Sequence, residues 1–295
     1  MKRSLLMLIV AVFAASSAIN AQRLWRVEGN GLSKPSWLFG THHIAPVSLL
    51  DATPGLAEAV AGADMVYGEL DMLHGAEERA QQLMATMAVA PADSTLSKVM
   101  SPAHMSRLGE VLSELAGQPV PLEGLEPLKP GVVTLQLAVL QSIAAMPGYD
   151  YTKQLDAELL QRAAAAGAEA AGLETPEFQM ELLLGTPISV QAAELAKCID
   201  EADTAIAEAR RLAQAYADGD LAVMEAIITD PRHGMTAAEA HRMIYSRNDS
   251  WIKTLLAVIP TASVLVVVGA GHLPGPRGLI EQLRSKGYTV TPINE

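Results

Sequence analysis

The sequence predicts an α/β fold in which a mixed, partly parallel central sheet is flanked by helices. Strand-like segments alternate with helical segments near both ends of the chain, as they do in α/β proteins. Ser263–Val268 is an uninterrupted apolar, β-branched run, which is typical of a central strand buried on both faces. Between the two ends, Ala76–Met146 shows apolar residues at helical spacing only, which predicts an all-helical insertion within the α/β domain.

Turn and cap residues give the bounds of the individual elements. Thr53-Pro54, Ser101-Pro102 and Thr175-Pro176 each have the pattern of an N-cap followed by proline at the first helical position. The other predicted strands are Leu24–Glu28, Ser36–Thr41, Asp64–Leu70, Glu169–Leu173 and Tyr288–Ile293, with the first two joined as a hairpin through Gly29-Asn30-Gly31. The predicted helices outside the insertion are Thr53–Gly62, Thr152–Ala166, one starting at Thr175, Val190–Ala217, Asn248–Ile259 and Pro276–Ser285.

The first 21 residues have the layout of a secretory signal peptide. Lys2 and Arg3 form a basic start, Leu5–Ala15 is an apolar core, and a small, polar tail ends at Ala21. The apolar core is shorter than the roughly 20 residues that a membrane span needs. We expect cleavage after Ala21, with cleavage after Ala18 or an uncleaved anchor as alternatives. The mature chain of residues 22–295 is then expected in the periplasm or outside the cell.

Composition excludes several classes of partner and site. Without Lys2 and Arg3, 19 of the 21 basic residues remain against 33 acidic ones, and such an acidic surface repels nucleic acid and anionic lipid. Cys198 is the only cysteine, so neither an intrachain disulfide nor a cysteine-based metal site is expected. No later segment is apolar over a membrane-spanning length, so no membrane span is expected after removal of the signal peptide.

Four predicted strands end at residues that are useful in catalysis or metal binding. His42 and His43 follow the second strand, Glu69 ends the third, Glu174 follows the fourth, and His272 follows the fifth. Ligands of open α/β sheets bind outside the carboxyl ends of the strands, so these side chains are expected to converge. Imidazole with carboxylate is a normal ligand set for Zn or Mn. A bound metal would lower the pKa of its water to ~7 and so supply a nucleophile.

The order of these motifs resembles the TraB/GumN family over Leu24 to Ile293. The resemblance depends on two Gly-x-x-His motifs, on a strand ending in glutamate, on a Leu-Glu-Thr turn and on a Gly-His-Leu-Pro-Gly-Pro-Arg-Gly stretch. In this chain they are Gly40–His43 and Gly269–His272, Val66–Glu69, Leu173–Thr175 and Gly271–Gly278. The family includes Tiki-type metalloproteases and shares a fold class with erythromycin esterase and ChaN-like proteins. The resemblance therefore implies a metal-dependent hydrolase of peptide or amide bonds.

The resemblance also implies roles for individual residues, with Mn, Co or Zn as the metal. It implies that His43, His272 and Glu69 hold the metal, and it matches Arg247-Asn248, Asp156 and Glu174 to family motifs. From the chemistry of these residues we expect Glu174 to orient a ligand or bind substrate, Arg247 and Asn248 to meet the oxyanion, and Asp156 to hold Arg247 or a ligand histidine. His42 departs from the family, which usually has an apolar residue there, and we place it behind the ligands. The helical insertion would form a lid over the strand ends.

Other interpretations of the same residues stay open. Asp156 is as well explained as a surface aspartate, Arg247 as half of a structural ion pair, and Asn248 as a helix cap. At the level of function, one alternative is a non-catalytic envelope protein that binds haem, iron or a peptide. Another is a scaffold in polysaccharide export, which only the family association suggests. The substrate of the enzyme interpretation would be a peptide or a small amide or ester.

Overall fold

The computed structural model of the chain describes residues 22–146, 153–230, 232 and 234–294. The predicted signal peptide lies outside the described residues, as does Thr152, the predicted start of a helix. The strands of the described part are β1 (Leu24–Gly29), β2 (Ser36–Thr41), β3 (Met65–Gly68), β4 (Glu169–Gly172), β5 (Val264–Gly269) and β6 (Tyr288–Pro292). They form one sheet with the order β4-β3-β5-β2-β1-β6.

This sheet is mixed, as the sequence predicts. Strands β4, β3, β5 and β2 are parallel neighbours, whereas β1 runs antiparallel to both β2 and β6. Strand β5 lies between β3 and β2, and its residues Val264–Val268 are buried, because a central strand of an α/β sheet is covered on both faces. In the β1–β2 turn, Asn30 adopts a φ of 50°, a left-handed conformation that asparagine tolerates better than most residues.

Helices cover the sheet and form a second apolar cluster beside it. They are α1 (Ser48–Asp51), α2 (Leu56–Gly62), α3 (Ala76–Met87), α4 (Leu96–Val99), α5 (Pro102–Ala116), α6 (Pro130–Ala145), α7 (Leu155–Ala165), α8 (Pro176–Leu184), α9 (Ile188–Asp200), α10 (Ala202–Asp218), α11 (Leu221–Ile228), α12 (Ala237–Ala240), α13 (Ser246–Val258) and α14 (Leu279–Ser285). The main core packs around the sheet. The second cluster contains Leu96, Leu108, Leu137, Leu195 and Ile199, so α9 packs with the helices of the segment predicted as an insertion.

The prediction of one long helix over Val190–Ala217 was wrong. The structure has two helices there, α9 and α10, with a break at Glu201. Both pack against α6. A straight helix of 28 residues would be about 42 Å long, whereas α6 with its 16 residues extends about 24 Å. The break lets both halves bury their apolar faces against the same helix.

The helix predicted from Thr53 begins two residues later than its cap motif indicates. The Thr53 hydroxyl donates to Leu49 O and accepts from Arg23 Nε instead of capping α2. Gly55 precedes α2 with a φ of 71°, a conformation that favours glycine. The other two cap motifs were predicted correctly, because Ser101 and Thr175 each accept a hydrogen bond from the backbone N–H three residues on.

A π-helical turn, His241–Tyr245, joins α12 to α13. This turn shifts the register of the helix just before Arg247 and Asn248, which are both buried, and π-helical turns are common near functional sites. In the described part of the chain, no single helix is long and apolar enough to cross a membrane. Helices α8 and α9 meet that requirement only when taken together, and they bend by 72°.

Candidate active site

The parallel part of the sheet brings the predicted residues to one edge. The strands β4, β3, β5 and β2 are adjacent and point the same way, so the loops after them are neighbours. Past the end of β4, Glu174 N donates to Glu69 O at 2.9 Å, which extends the ladder with β3 into the loops. The predicted convergence of the strand ends is therefore present in the structure.

Gly269, the last residue of β5, lies among three of the predicted residues. A Cβ atom at Gly269 would lie 3.3 Å from Glu69 Oε1, 3.6 Å from His272 Cδ2 and 3.9 Å from His43 Nε2. Its backbone N–H also donates to Glu69 Oε1 at 2.9 Å. A side chain at this position would press on the glutamate carboxylate, so the close approach favours glycine. His43, Glu69 and His272 thus surround a single backbone position.

Arg247 lies at the centre of the buried part of the site, and all five of its N–H groups are bonded. Its Nε donates to Glu174 Oε1 at 2.9 Å, and Nη2 donates to Glu174 Oε2 at 2.9 Å and to Glu69 Oε2 at 2.6 Å. Its Nη1 donates to Met243 O and to His272 Nε2, each at 3.1 Å. Burial opposes the charge, but the hydrogen bonds to Glu174 and the charge of Glu69 outweigh it and raise the pKa of Arg247.

Glu174 accepts four hydrogen bonds and is 5 % exposed. Besides the two from Arg247, Trp251 Nε1 donates to Oε1 at 2.9 Å and Gln179 Nε2 donates to Oε2 at 3.2 Å. Four donors fill the acceptor sites of a carboxylate. Glu174 therefore has no free oxygen lone pair for a substrate or a metal, and it fixes the position of Arg247.

Glu69 remains ionised at any physiological pH. Its burial favours the neutral acid, but the positive charge of Arg247 outweighs this, and the pKa of Glu69 is lowered to about 2. Gln179 Nε2 donates to Glu69 Oε2 at 3.2 Å, so the glutamine amide bridges the carboxylates of Glu69 and Glu174. The Glu69 side chain is 15 % exposed, and it lines the cavity described below.

His272 is a neutral imidazole whose tautomer is set by Asn248. The Asn248 amide nitrogen donates to two carbonyl oxygens, His272 O and Arg277 O, so its Oδ1 is the end that faces His272 Nδ1 at 2.7 Å. An amide oxygen only accepts, and Nδ1 therefore carries the proton. Burial lowers the pKa of His272 to about 3, and the ring packs against Trp251 with centroids 4.4 Å apart.

The predicted oxyanion contacts of Arg247 and Asn248 do not fit this arrangement. Asn248 is 0 % exposed and Arg247 is 6 % exposed. Every N–H donor of both side chains already has an acceptor, and an oxyanion hole needs donors aimed at the reacting atom. The two residues instead hold Glu69, Glu174 and His272 in place.

His43 forms the exposed part of the site with Asp156. The Nδ1 of His43 contacts Asp156 Oδ2, which is one of the two partners that we predicted for this aspartate. The His43 side chain is 64 % exposed and that of Asp156 is 23 % exposed. The negative charge of Asp156 raises the pKa of His43 to about 9. His43 Nε2 is the nitrogen that remains available on the side toward Gly269 and Glu69.

His42 faces a different environment from His43. Its ring centroid lies 5.5 Å from that of Tyr216, whose hydroxyl donates to Gly40 O at 3.1 Å. Burial lowers the pKa of His42 to about 4, and its buried Nδ1 has no hydrogen-bond partner in the part of the chain that the structure describes. Adjacent residues after a strand thus differ in exposure and in charge at neutral pH.

A cavity of about 210 Å³ opens at this edge of the sheet. Polar groups that line it are His43, Glu69, Gln154, Asp156 and Gln179, and Leu160, Met72 and Val267 contribute apolar walls. His43, Glu69 and Asp156 are the titratable groups that a molecule in it would meet.

The predicted metal ligands lie close together but do not have the geometry of a metal site. Among residues 22–146, 153–230, 232 and 234–294, no three His, Cys, Asp or Glu side chains have the geometry of a metal site. His272 Nε2 lies 3.9 Å from Glu69 Oε1, but its lone pair accepts the hydrogen bond from Arg247. The predicted set of His43, Glu69 and His272 does not fit this arrangement, because one of its three donor atoms is already bonded to a cation.

Two residues of the site were not predicted from the sequence. Trp251 lies four positions after Arg247 on α13, and this spacing alone places both on one face of the helix. Gln179 on α8 bridges Glu69 and Glu174. A glutamine in the second turn of a helix carries no signal that distinguishes it from an exposed polar residue, so only the packing of α8 against the strand ends reveals it.

The model of a protein family described as the TraB/PrgY/gumN family matches residues 23–292, which is nearly the whole chain. Neither a curated protein nor a solved structure matches the chain.

Proposed function

The chain belongs to the TraB/PrgY/gumN family, and from this premise we propose that it is an exported hydrolase that acts on peptide or amide bonds. The observation that carries the proposal is the pairing of His43 with Asp156 at the cavity. The resemblance described above supports the choice of peptide or amide bonds, and the N-terminal signal-peptide layout supports export. The position of the cavity outside the strand ends agrees with the usual location of ligand sites in α/β sheets.

His43 is the proposed general base. A base is most effective when its pKa lies near the working pH, and the pKa of Glu69, about 2, is far below that range. His43 has a pKa of about 9, so it is a strong base once it loses its proton. Asp156 holds Nδ1, which leaves Nε2 to accept a proton from a water molecule in the cavity.

His43 takes a proton from water during the attack and returns it to the substrate during bond cleavage. Water attacks the carbonyl carbon as Nε2 of His43 takes one of its protons, and the resulting imidazolium is stabilised by the Asp156 carboxylate. When the tetrahedral intermediate collapses, the C–N bond breaks and His43 returns the proton to the leaving amine nitrogen. Glu69, which is ionised and faces the cavity, adds a second negative charge that favours the imidazolium.

The buried residues contribute position and charge rather than proton transfer. Arg247 is fully bonded to Glu69, Glu174, His272 and Met243 O, so it fixes the Glu69 carboxylate at the cavity wall. The predicted metal ligand set does not fit the arrangement, because His272 Nε2 already accepts a hydrogen bond from Arg247. Proton transfer therefore uses only side chains of this protein.

The test compares variants of the chain from Gln22 to Glu295 on a library of fluorogenic peptides. We expect His43→Ala to lower kcat/KM by about 10²–10⁴-fold, as is typical for loss of a general base. His104→Ala is the matched control, because His104 also pairs with an aspartate, Asp200, at 3.3 Å. His104 lies on α5, whose apolar residues pack in the second apolar cluster. Equal turnover by His43→Ala and the unchanged chain would contradict the proposal.

The wild-type profile against pH gives a second test. Because the pKa of His43 is raised to about 9, the neutral base is a small fraction at pH 7, and kcat/KM should rise with pH until about 9. A profile that is flat between pH 7 and 9 would argue against His43 as the base. An absorption spectrum of the same preparation tests the haem-binding alternative, which would give a Soret band.

A further inference from the structure

The cation that the structure places among the predicted metal ligands is a guanidinium group. Arg247 Nη2 lies 2.6 Å from Glu69 Oε2, and Nη1 lies 3.1 Å from His272 Nε2. Both partners were predicted to hold a divalent metal. We infer that Arg247 is the resident cation of this site and that His272 is its neutral hydrogen-bond acceptor instead of a metal ligand.

The lone pairs of His272 support this assignment. A neutral imidazole has one nitrogen that donates and one that accepts. Asn248 Oδ1 takes the proton of Nδ1, and the orientation of Asn248 is fixed by its two bonds to carbonyl oxygens. Nε2 therefore has the only lone pair in the ring plane. Arginine cannot accept a hydrogen bond, so this lone pair must accept from Arg247.

Distances exclude an ion on the same lone pair while Arg247 stays in place. A metal would lie about 2.0–2.1 Å from an imidazole nitrogen. Arg247 Nη1 lies 3.1 Å from His272 Nε2, so an ion on that line would lie about 1 Å from Nη1. The guanidinium would have to leave, and its five bonds in a buried environment oppose that movement.

Charge gives an independent argument. Glu69 and Glu174 carry two negative charges, and Arg247, which contacts both, carries one positive charge. His272 is neutral as its hydrogen bonds show. A divalent cation bound to Glu69 and His272 would lie against the Arg247 charge in a site of low dielectric constant, where such repulsion is weakly screened. The arginine already neutralises one of the two carboxylate charges, and a second cation at His272 would lie directly beside it.

The first test observes the imidazole directly in the unchanged chain. We expect ¹⁵N NMR of labelled protein to show His272 as the Nδ1–H tautomer, and the Nε2 resonance of His272 should not shift when Zn²⁺ is added in small excess. A shift of that Nε2 resonance to the range of metal-bound imidazole would overturn the inference. This readout does not depend on activity, so it separates failure of the inference from failure of the proposed hydrolase.

The second test removes the arginine and measures metal content after incubation with Zn²⁺ or Co²⁺ and desalting. Arg247→Met releases His272 Nε2, one hydrogen bond to Glu69 and two to Glu174, so we expect this variant to retain metal that the unchanged chain does not retain. Addition of His272→Gln to Arg247→Met should abolish that gain. In the otherwise unchanged chain, His272→Gln should leave metal content the same.

Loss of one equivalent of metal in the single His272→Gln variant would overturn the inference, as would equal metal content in Arg247→Met and the unchanged chain. Circular dichroism establishes that each variant is folded. If Arg247→Met does not fold, the NMR test and the single His272→Gln comparison still decide the question, because neither alters Arg247.

Discussion

Glu174 accepts hydrogen bonds from both Nε and Nη2 of Arg247, each at 2.9 Å. The two residues are 73 positions apart, and both side chains are at most 7 % exposed. A bidentate pair between a planar guanidinium and a carboxylate fixes distance and orientation together. The position of Arg247, and through it those of Glu69 and His272, depends on this pair.

Glu174→Gln should therefore destabilise the protein by about 3 kcal/mol, because it leaves a buried guanidinium with one carboxylate fewer. Urea unfolding followed by circular dichroism measures the change. Glu208→Gln is the matched control, since Glu208 also accepts two bonds from one arginine, Arg211, which is 60 % exposed. Exposed pairs are worth about 0–1 kcal/mol. Similar losses in both variants would contradict the structural role of Glu174.

Asp156→Asn should lower the pKa of His43 from about 9 toward its usual value near 6.5, because the carboxylate charge is the main cause of the shift. Proton NMR titration of the imidazole Hε1 resonance measures it. The pair stabilises the folded state fully below pH 6.5, and this contribution to stability is lost as the pH rises through 9. His43 titrating near 6.5 in the unchanged chain would refute the prediction.

His272 should make the protein acid-sensitive. Its pKa is about 3 in the folded state, so the unfolded chain binds a proton near pH 6.5 and the folded one does not. The contribution of His272 to stability is therefore fully present above pH 6.5 and falls by up to about 1.4 kcal/mol per pH unit as the pH decreases. The stabilisation that ionised Glu69 contributes begins to be lost only near pH 4.5, which is the pKa of this glutamate in the unfolded chain.

His272→Gln isolates this effect, because glutamine does not titrate. Between pH 6.5 and 4.5 the unchanged chain should lose more stability than His272→Gln. Trp251, whose ring packs on His272, gives a fluorescence signal for unfolding at each pH. Parallel curves for the two proteins over this interval would show that His272 does not remain neutral in the folded state.

We expect protein isolated from the cell envelope to begin at Gln22, since the signal-peptide layout ends at Ala21. Mass spectrometry of the intact chain and of its N-terminal peptide measures this. A chain beginning at Ile19 would indicate the alternative cleavage after Ala18. An intact Met1 would contradict both the cleavage and the expected location.

The sequence by itself determined the sheet and the edge at which the site lies. Strand bounds followed from short apolar segments between turn residues, and β2 was predicted without error. The central place of β5 followed from its uninterrupted apolar run. The convergence of Glu69, Glu174 and His272 followed from strand direction alone, because the carboxyl ends of neighbouring parallel strands meet. These features are local patterns or direct consequences of them.

Only the tertiary structure decided what each residue at that edge contacts. The break at Glu201 came from the packing of α9 and α10 on α6, which no local pattern encodes. The tautomer of His272 depends on Asn248, and the use of its lone pair depends on Arg247. Sequence motifs identify side chains that are able to bind a metal, but a lone pair binds one partner. For His272 Nε2 that partner is Arg247, which the fold brings from a separate helix.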